Sequence, residues 1–290
     1  MKKRHAGISR RSFLKAAMAA GTAPMIVPSG LFGANAPSNR IATGHIGVGG
    51  QGGGLLSNFL HVTGCQPVAA ADAFMSRSQA AANRMGQGAR AYQDFRELLA
   101  RDDIDAVVIA THDHWHVPLG IAAVRAGKDI YIEKPLGISI EQNKALRAEV
   151  HRHGAIFQYG TQQRGMSRHC GFICELLRNG YIGELKAVHV VAPNGATGGN
   201  SAPQPVPADL NYDIWLGPAP VTPYTHDRVV GGGRWHIYDY ALGFIAGWGA
   251  HPLDIAHWGY PFIPVEYEGT GLIPTDGLFD TIVNWDVKGR

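Results

Sequence analysis

The sequence predicts an α/β fold whose first half is a doubly wound parallel sheet, and two observations carry this prediction. Short apolar runs such as 106–110 and 129–132 alternate with segments of helical periodicity, a pattern typical of strands buried on both faces of a sheet. The second of these runs ends abruptly at a Glu-Lys-Pro, residues 133–135. Because ligands bind outside the carboxyl ends of parallel strands, Lys134 is a candidate for chemistry, although a surface lysine in a turn is the simpler alternative.

Composition sets broad limits on what the protein can be. Its 290 residues suffice for about two domains, and the hydrophobic share of 45% is ordinary for a globular chain. The formal charge of +3 is small, and five basic residues lie in the first eleven positions, so nothing indicates a nucleic-acid partner. The three cysteines give an odd count and no disulfide framework, and we assign them no metal or redox role.

Residues 1–36 are predicted to be a twin-arginine export signal. Positions 9–15 read Ser-Arg-Arg-Ser-Phe-Leu-Lys, and the weakly apolar run that follows is too short for a transmembrane helix. Residues 34–36 have the A-x-A pattern of a cleavage site, although Pro37 would hinder cleavage. We therefore expect a periplasmic or other extracytoplasmic location without a stable membrane span after processing. A signal-anchored form and a plain charged tail are the alternatives.

A nucleotide-binding domain is predicted over 38–157. A short apolar strand leads into a G-x-G-x-x-G motif over 47–52, and residues with helical spacing follow, the setting in which this motif binds dinucleotides. There Gly47 would form the tight turn, Gly49 would let the backbone approach a pyrophosphate, and Gly52 would let helix and strand pack. The residues predicted from this region to hold the cofactor are Gly47, Gly49, Gly50, Gln51, Gly52 and Asp72.

Asp72 bears on the choice between NAD and NADP. It ends the apolar run 68–71, in the place where an acid meets the ribose hydroxyls of the adenosine in dinucleotide-binding folds. A carboxylate there would repel the 2′-phosphate of NADP, so NAD is expected. Arg77 lies nearby and keeps NADP open.

His112, His114 and His116 alternate directly after Thr111, at the end of an apolar run. Histidine clusters can bind metals, but no cysteine joins these three and they run from a loop into a helix, so no metal is predicted. We interpret the segment as a polar rim over the nicotinamide, with Thr111 and His116 as cofactor contacts.

Three motifs in order resemble the glucose–fructose oxidoreductase and inositol dehydrogenase (Gfo/Idh/MocA) family. They are the glycine-rich segment 46–52, Ala110-Thr111 with His116, and the Glu-Lys-Pro at 133–135. The resemblance implies a Rossmann domain followed, over 158–290, by an α/β domain with an open, mostly antiparallel sheet. It also implies that Glu133 and Lys134 lie at the cofactor, with Lys134 beside the substrate hydroxyl, and that the bond before the proline is often cis.

The second half is expected to serve substrate binding and oligomerisation, as the resemblance implies. Its end looks cut short, because the chain stops just after a strand predicted at 281–287. A further strand is predicted over 184–191. The Pro/Gly-rich stretch 193–223 is predicted to be an ordered arm, suited to contacts between the subunits of a homo-oligomer.

His251 resembles the acid/base histidine of the family's second catalytic motif, at the head of a predicted helix. The aspartate that the family usually has four residues earlier is Gly247 here, so His251 must act alone or borrow a carboxylate such as Asp239 or Asp254. The segment 234–240 has the aromatic and polar mix of carbohydrate sites, although a core strand is equally compatible. The predicted substrate residues are Arg164, Trp235, His236 and Asp254.

These residues predict an NAD(P)-dependent oxidoreductase that moves hydride between a sugar or cyclitol hydroxyl and a tightly held nicotinamide cofactor. Lys134 and His251 are the expected acid/base groups. Free NAD is scarce outside the cytoplasm, so export would favour a cofactor that is retained and recycled. One alternative is a glycosidase that borrows the hydride, by transient C3 oxidation and elimination, and returns it. Another is a non-catalytic sugar-binding relative that does not need Lys134.

Overall fold

The computed structural model describes residues 39–290 except 167, 231 and 262, and the compact unit discussed below spans Ile41–Arg290. The predicted export signal over 1–36 lies outside the described residues. Within the described part of the chain, no helix combines the length and the apolar character that crossing a bilayer requires.

Six parallel strands form the central sheet, in the spatial order β3-β2-β1-β4-β5-β6. The strands are β1 (Ile41–Ile46), β2 (Cys65–Ala71), β3 (Arg90–Tyr92), β4 (Ala106–Ile109), β5 (Asp129–Glu133) and β6 (Phe157–Gly160). The helices between them are α1 (Gly50–Phe59), α2 (Met75–Met85), α3 (Phe95–Leu99), α4 (Asp113–Arg125) and α5 (Ile140–His153). The chain winds outward from β1 and then, in the other direction, from β4, which confirms the doubly wound parallel sheet. Such a reversal opens a crevice at the carboxyl ends of these two strands.

Burial on both faces explains the apolar runs of the central strands. In β4 three consecutive side chains, Val107, Val108 and Ile109, are each at most 3% exposed. Gly120 of α4 lets that helix approach the sheet closely, since a Cβ there would lie 2.7 Å from Cδ1 of Ile132. Ser139 caps the start of α5, because its hydroxyl accepts a hydrogen bond from the Gln142 amide.

The second half contributes short helices and a small antiparallel sheet. Its helices are α6 (Gln163–Met166), α7 (Arg168–Arg178), α8 (Tyr212–Leu216), α9 (His226–Val229), α10 (Gly243–Gly247) and α11 (Ala250–Gly259), with a 3-10 turn at Gly233–Trp235. Two strands, β7 (Tyr267–Leu272) and β8 (Asn284–Gly289), pair antiparallel in a sheet of their own. The predicted α/β second domain with an open antiparallel sheet is confirmed.

The arm over 193–223 is ordered and packs against the nucleotide-binding half of the same chain. The indole nitrogen of Trp115 in α4 donates to the carbonyl of Ile214, with 3.0 Å between N and O. Nε2 of the buried His114 lies 3.0 Å from the carbonyl oxygen of Leu216. The contact of this arm with another subunit stays a prediction.

Two strand predictions in the second half need correction. No strand forms over 184–191, and Val190 and Val191 are exposed there, because no described strand lies beside this segment to accept its hydrogen bonds. The strand predicted at 281–287 begins later, at Asn284. Thr281 turns inward instead and is 1% exposed, and its amide donates to the carbonyl of His236.

Candidate active site

A cavity of about 1050 Å³ lies at the carboxyl ends of the central strands. It is bounded by the glycine-rich segment on one side and by the 3-10 turn, α10 and α11 of the second half on the other. Predicted site residues on its wall are Gly47, Gly49, Gly50, Gln51, Asp72, Thr111, His116, Glu133, Lys134, Trp235 and His251. Its size is at the upper end of the range for pockets that bind small molecules.

The glycine-rich segment has the form that a dinucleotide needs. Gly47 has φ of +78°, and a Cβ there would lie 2.7 Å from the carbonyl oxygen of Ala110. Gly52 has no room for a side chain either, because its Cβ would overlap the carbonyl oxygen of Gly47. Gly50, at the start of α1, faces open space. The first amides of α1 and the bare backbone beside them therefore fit a pyrophosphate.

Asp72 follows β2 and connects the glycine-rich segment to the next turn. Its Oδ2 accepts a hydrogen bond from the Val48 amide at 3.0 Å, and its Oδ1 accepts one from the Phe74 amide at 3.0 Å. Burial raises the pKa of Asp72, and these two hydrogen bonds oppose that shift. Arg77 lies on the same part of the wall, with its guanidinium stacked 4.0 Å from the centre of the Phe74 ring.

Glu133 ends β5 and is 3% exposed. Its Oε1 accepts hydrogen bonds from the side-chain amides of Gln51, at 3.1 Å, and Gln162, and its Oε2 accepts one from the Lys134 amide at 3.2 Å. Burial raises the pKa of Glu133 against the pull of these donors and of the Lys134 charge. This carboxylate ties together the glycine-rich segment, β5 and the segment after β6. Sequence reasoning missed Gln162, which stands in the segment that follows β6.

Lys134 reaches across the cavity from the end of β5. Its ammonium donates to the backbone carbonyl of Gly247, with 3.0 Å between Nζ and O. The bond between Lys134 and Pro135 is cis, as the resemblance implies. Nδ1 of His116 lies 2.6 Å from the carbonyl oxygen of Pro135, so this nitrogen carries the proton and donates. His116 thus lies beneath the Glu-Lys-Pro turn, and burial lowers its pKa to about 4.

His251 lies in the first turn of α11, on the cavity wall. Its Nδ1 is buried and has no hydrogen-bond partner among the described residues. Burial, and then the nearby charge of Lys134, lowers the pKa of His251, so the imidazole is neutral at pH 7. Lys134 and His251 are therefore brought to one place, as the sequence predicts.

Three predicted substrate residues, Arg164, His236 and Asp254, are not on the cavity wall. Arg164 and Asp254 form a bidentate ion pair, at 2.7 and 2.6 Å, and neither belongs to the cavity wall. Asp254 is therefore paired with Arg164, although its charge partly opposes the lowering of the His251 pKa. His236 is 7% exposed and packs against Phe244, with ring centres 4.7 Å apart, because the turn that follows Gly233 directs it into the core.

Asp113 and Arg234 are wall residues that the sequence analysis did not single out. Asp113 is the first residue of α4, and Lys134 and Arg234 line the same cavity and act on the pKa of its carboxyl. An acid at a helix start is normally explained by the helix dipole, which is why its position gave no signal. Only the structure shows that Asp113 is buried, with 5% of the residue exposed.

The alternating histidines have different neighbours, although the rings of His112 and His114 stack with their centres 6.0 Å apart. His112 precedes α4, His114 faces the arm, and His116 faces Pro135. Within the described part of the chain, no group of three or more histidine, cysteine or acidic side chains is arranged to hold a metal ion.

Comparison with known families agrees with this geometry. A model of an oxidoreductase family with an NAD-binding Rossmann fold matches residues 41–161, and the model of that family's C-terminal alpha/beta domain matches residues 194–259. The chain belongs to the Gfo/Idh/MocA oxidoreductase family. Its first half is accordingly an NAD-binding Rossmann domain, and the predicted fold and cofactor class are confirmed.

Relatives within the family differ in what they do. The chain is 31% identical over 210 residues to a glycosyl hydrolase family 109 protein of Shewanella sp. (strain ANA-3), and 34% identical over 148 residues to an inositol 2-dehydrogenase of Rubrobacter xylanophilus. The matches cover 62% and 50% of the chain, but 44% and 42% of those relatives. A structure of KijD10, a 3-ketoreductase from Actinomadura kijaniata in complex with TDP-benzene and NADP, superposes with a TM-score of 0.65 at 21% identity, covering 87% of this chain and 67% of that one. That likeness concerns the fold.

Proposed function

We propose that the protein is an NAD(P)-dependent oxidoreductase that oxidises a hydroxyl of a sugar or cyclitol, or reduces the corresponding ketone. The observation that supports this is the single cavity that joins the glycine-rich segment to Lys134 and His251. Two groups able to exchange protons thus face the space in which a dinucleotide and a small polyol would lie.

The chain's own residues divide the work of holding and reacting. Gly47, Gly49 and Gly50 would receive the pyrophosphate, and Asp72 would meet the adenosine ribose. A bound nicotinamide supplies the hydride acceptor, and the protein supplies orientation and proton transfer. Lys134, in its amine form, would accept the hydroxyl proton, and the neutral imidazole of His251 is in the form that can take this proton on.

The test is a panel of sugars and cyclitols offered to the purified full-length protein with NAD or NADP, followed at 340 nm. Mass spectrometry of the denatured protein would show whether a nicotinamide cofactor is carried from the cell. Absence of reduction with every polyol, in a protein that binds NAD, would contradict the oxidoreductase assignment.

A redox glycosidase is the second candidate, and one observation favours it. The match that extends over 210 residues is to a glycosyl hydrolase family 109 protein, and it covers more of the chain than the match to the inositol dehydrogenase. The backbone carbonyl at Gly247, in place of an aspartate side chain, is compatible with either reaction. Release of p-nitrophenol from p-nitrophenyl glycosides without net NADH would favour the glycosidase over the dehydrogenase.

We also propose export by the twin-arginine route, supported by the sequence at 9–15. Replacing both Arg10 and Arg11 by lysine should retain the protein in the cytoplasm, as cell fractionation would show. Export of the double variant at the level of the natural sequence would contradict this proposal. Homo-oligomer formation is proposed as well, and sedimentation of the full chain would test it.

A further inference from the structure

Asp113 is a buried acid without the partners that buried acids normally have. It opens α4, lies on the cavity wall and is 5% exposed. Its Oδ2 is fully buried and accepts no hydrogen bond from the described residues. Such burial of a carboxylate is costly, so an acid in this state indicates a role outside folding.

Two cations, Lys134 and Arg234, line the same cavity as Asp113, and the charge of Lys134 acts on Glu133 as well. Lys134 follows β5 and Arg234 lies in the 3-10 turn, and neither forms an ion pair within 4.0 Å, with Asp113 or with another acid, in the described part of the chain. Burial raises the pKa of Asp113 to about 7, and the charges of Lys134 and then Arg234 oppose this shift. The other titratable groups around it are Tyr159 on β6 and His112, His114 and His116 on its own segment. Burial lowers the pKa of each of these histidines, so none adds a charge at pH 7.

The other acids in and near the cavity already have hydrogen-bond or ion-pair partners. Asp72 accepts two backbone hydrogen bonds, and Glu133 is held by Gln51 and Gln162. Asp254 is paired with Arg164 outside the cavity, and position 247 is a glycine that offers only its carbonyl to Lys134. Glu133 also feels the charge of Lys134, but Asp113 is the acid of this wall with a buried oxygen that has no hydrogen-bond partner among the described residues.

We propose that Asp113 is a positioning residue whose ionised carboxylate stabilises the ammonium of Lys134 as that side chain takes the proton of the substrate hydroxyl. The ammonium of Lys134 first releases a proton to water; the O–H bond of the substrate then breaks, an N–H bond forms on the neutral Lys134 amine, and one positive charge reappears on Lys134. The inference rests on the proposed function and adds a third residue to Lys134 and His251.

Stability gives a test that needs no turnover. Folding raises the pKa of Asp113 from 3.8 to about 7, so the folded state holds this proton more tightly, and the resulting stability is lost as pH rises through about 7. Asp113→Asn should therefore gain in Tm relative to the natural protein between about pH 5 and pH 8. The buried histidines titrate alike in both proteins and cancel. Asp213→Asn, which removes an exposed acid from the first turn of α8, is the matched control and should show no such trend.

A double-mutant cycle then tests the partnership with Lys134. The variants are Asp113→Asn, Lys134→Met and the double variant, and the measurement is Tm at about pH 5 and pH 8. We expect coupling at pH 8, where Asp113 is ionised, and its loss at pH 5. Zero coupling at pH 8 would overturn the inference, as would a variant Asp113→Asn that is less stable than the natural protein at both pH values.

Activity supplies the remaining evidence. Asp113→Asn should lower kcat for polyol oxidation at pH 8 by about 10²-fold with retained NAD binding, and should remove a rise in rate through about pH 7. An unchanged rate and pH profile would overturn the inference while leaving the proposed function intact. If the natural protein oxidises no polyol at any pH, the proposed function fails instead, and the double-mutant cycle still decides whether Asp113 and Lys134 are coupled.

Discussion

Two regions of the cavity wall carry ionisable groups, and they differ in how those groups are partnered. At the ends of β2 and β5, the half-buried Asp72 and the buried Glu133 have backbone or amide donors on both carboxylate oxygens. In the first turns of α4 and α11, Asp113 and His251 bury polar atoms that have no partner among the described residues. The carboxylates at the strand ends hold the glycine-rich segment in place, whereas the helix starts leave polar atoms available to a ligand.

This difference gives a way to separate architecture from chemistry. Removing a group from the strand ends should damage binding or stability, because its donors are left unsatisfied. Removing a group from the helix starts, or the lysine between the two regions, should damage turnover with little loss of stability. The four variants below test this division, from the largest expected effect to the smallest.

Lys134→Met should have the largest effect. We expect kcat for polyol oxidation to fall by about 10³-fold, on the order of 4 kcal/mol, because a proton acceptor is lost while the aliphatic stem is retained. NAD binding, measured by isothermal titration, should change little. Lys144→Met on the exposed face of α5 is the control. Hydride transfer at the natural rate in Lys134→Met would favour the non-catalytic sugar-binding alternative.

Gly52→Ala tests the architecture of the glycine-rich segment. Its Cβ would overlap the carbonyl oxygen of Gly47, so we expect a loss of about 3 kcal/mol in the free energy of unfolding and weaker NAD binding. Gly54→Ala in the same helix meets nothing within 4 Å and should stabilise slightly. Urea denaturation of both variants measures the difference, and equal stabilities would show that the close approach at Gly52 is not required.

His251→Asn should reduce turnover by about 10²-fold, on the order of 3 kcal/mol, without loss of stability. Burial lowers the pKa of His251, so the natural enzyme keeps a neutral imidazole until the pH falls below about 6.5 and loses this base as it becomes protonated at lower pH. His257→Asn, on the exposed side of α11, provides the control. A pH–rate profile that is the same for His251→Asn and the natural enzyme would rule out the imidazole as the base.

Asp72→Asn should have the smallest effect on affinity. The variant loses the negative charge and one of two acceptor atoms, so we expect the ratio of NADP to NAD affinity to rise by about tenfold or less, on the order of 1 kcal/mol. Arg77, on the same part of the wall, would then meet the 2′-phosphate without the charge of Asp72 beside it. Dissociation constants for both cofactors, measured at one salt concentration, give the ratio, and an unchanged ratio would show that the charge of Asp72 does not select between the two cofactors.

The sequence was sufficient for the sheet and for much of the site. Periodicity located the strands because parallel strands are apolar throughout, and the motifs placed Gly47, Lys134 and His251 on one wall. The sequence did not predict features that depend on contacts between residues far apart in the chain. Alternation over 184–191 predicted a strand, but a strand also needs a neighbour. Asp113 could not be recognised from its position at a helix start, since its importance comes from the burial and cations supplied by other elements.

The packing of the arm over 193–223 determines how the nucleotide-binding half would behave if it were produced alone. Phe74, at the edge of that half, is 9% exposed because Leu210 and Tyr240 pack in the same cluster, and the amide of Met75 donates to the carbonyl of Asp209. A fragment that stops near residue 157 would expose this apolar surface to solvent. It would also leave the indole nitrogen of Trp115 without its acceptor, the carbonyl of Ile214. Excision at the motif boundary should therefore yield an aggregating fragment, and a usable minimal piece must extend through residue 240.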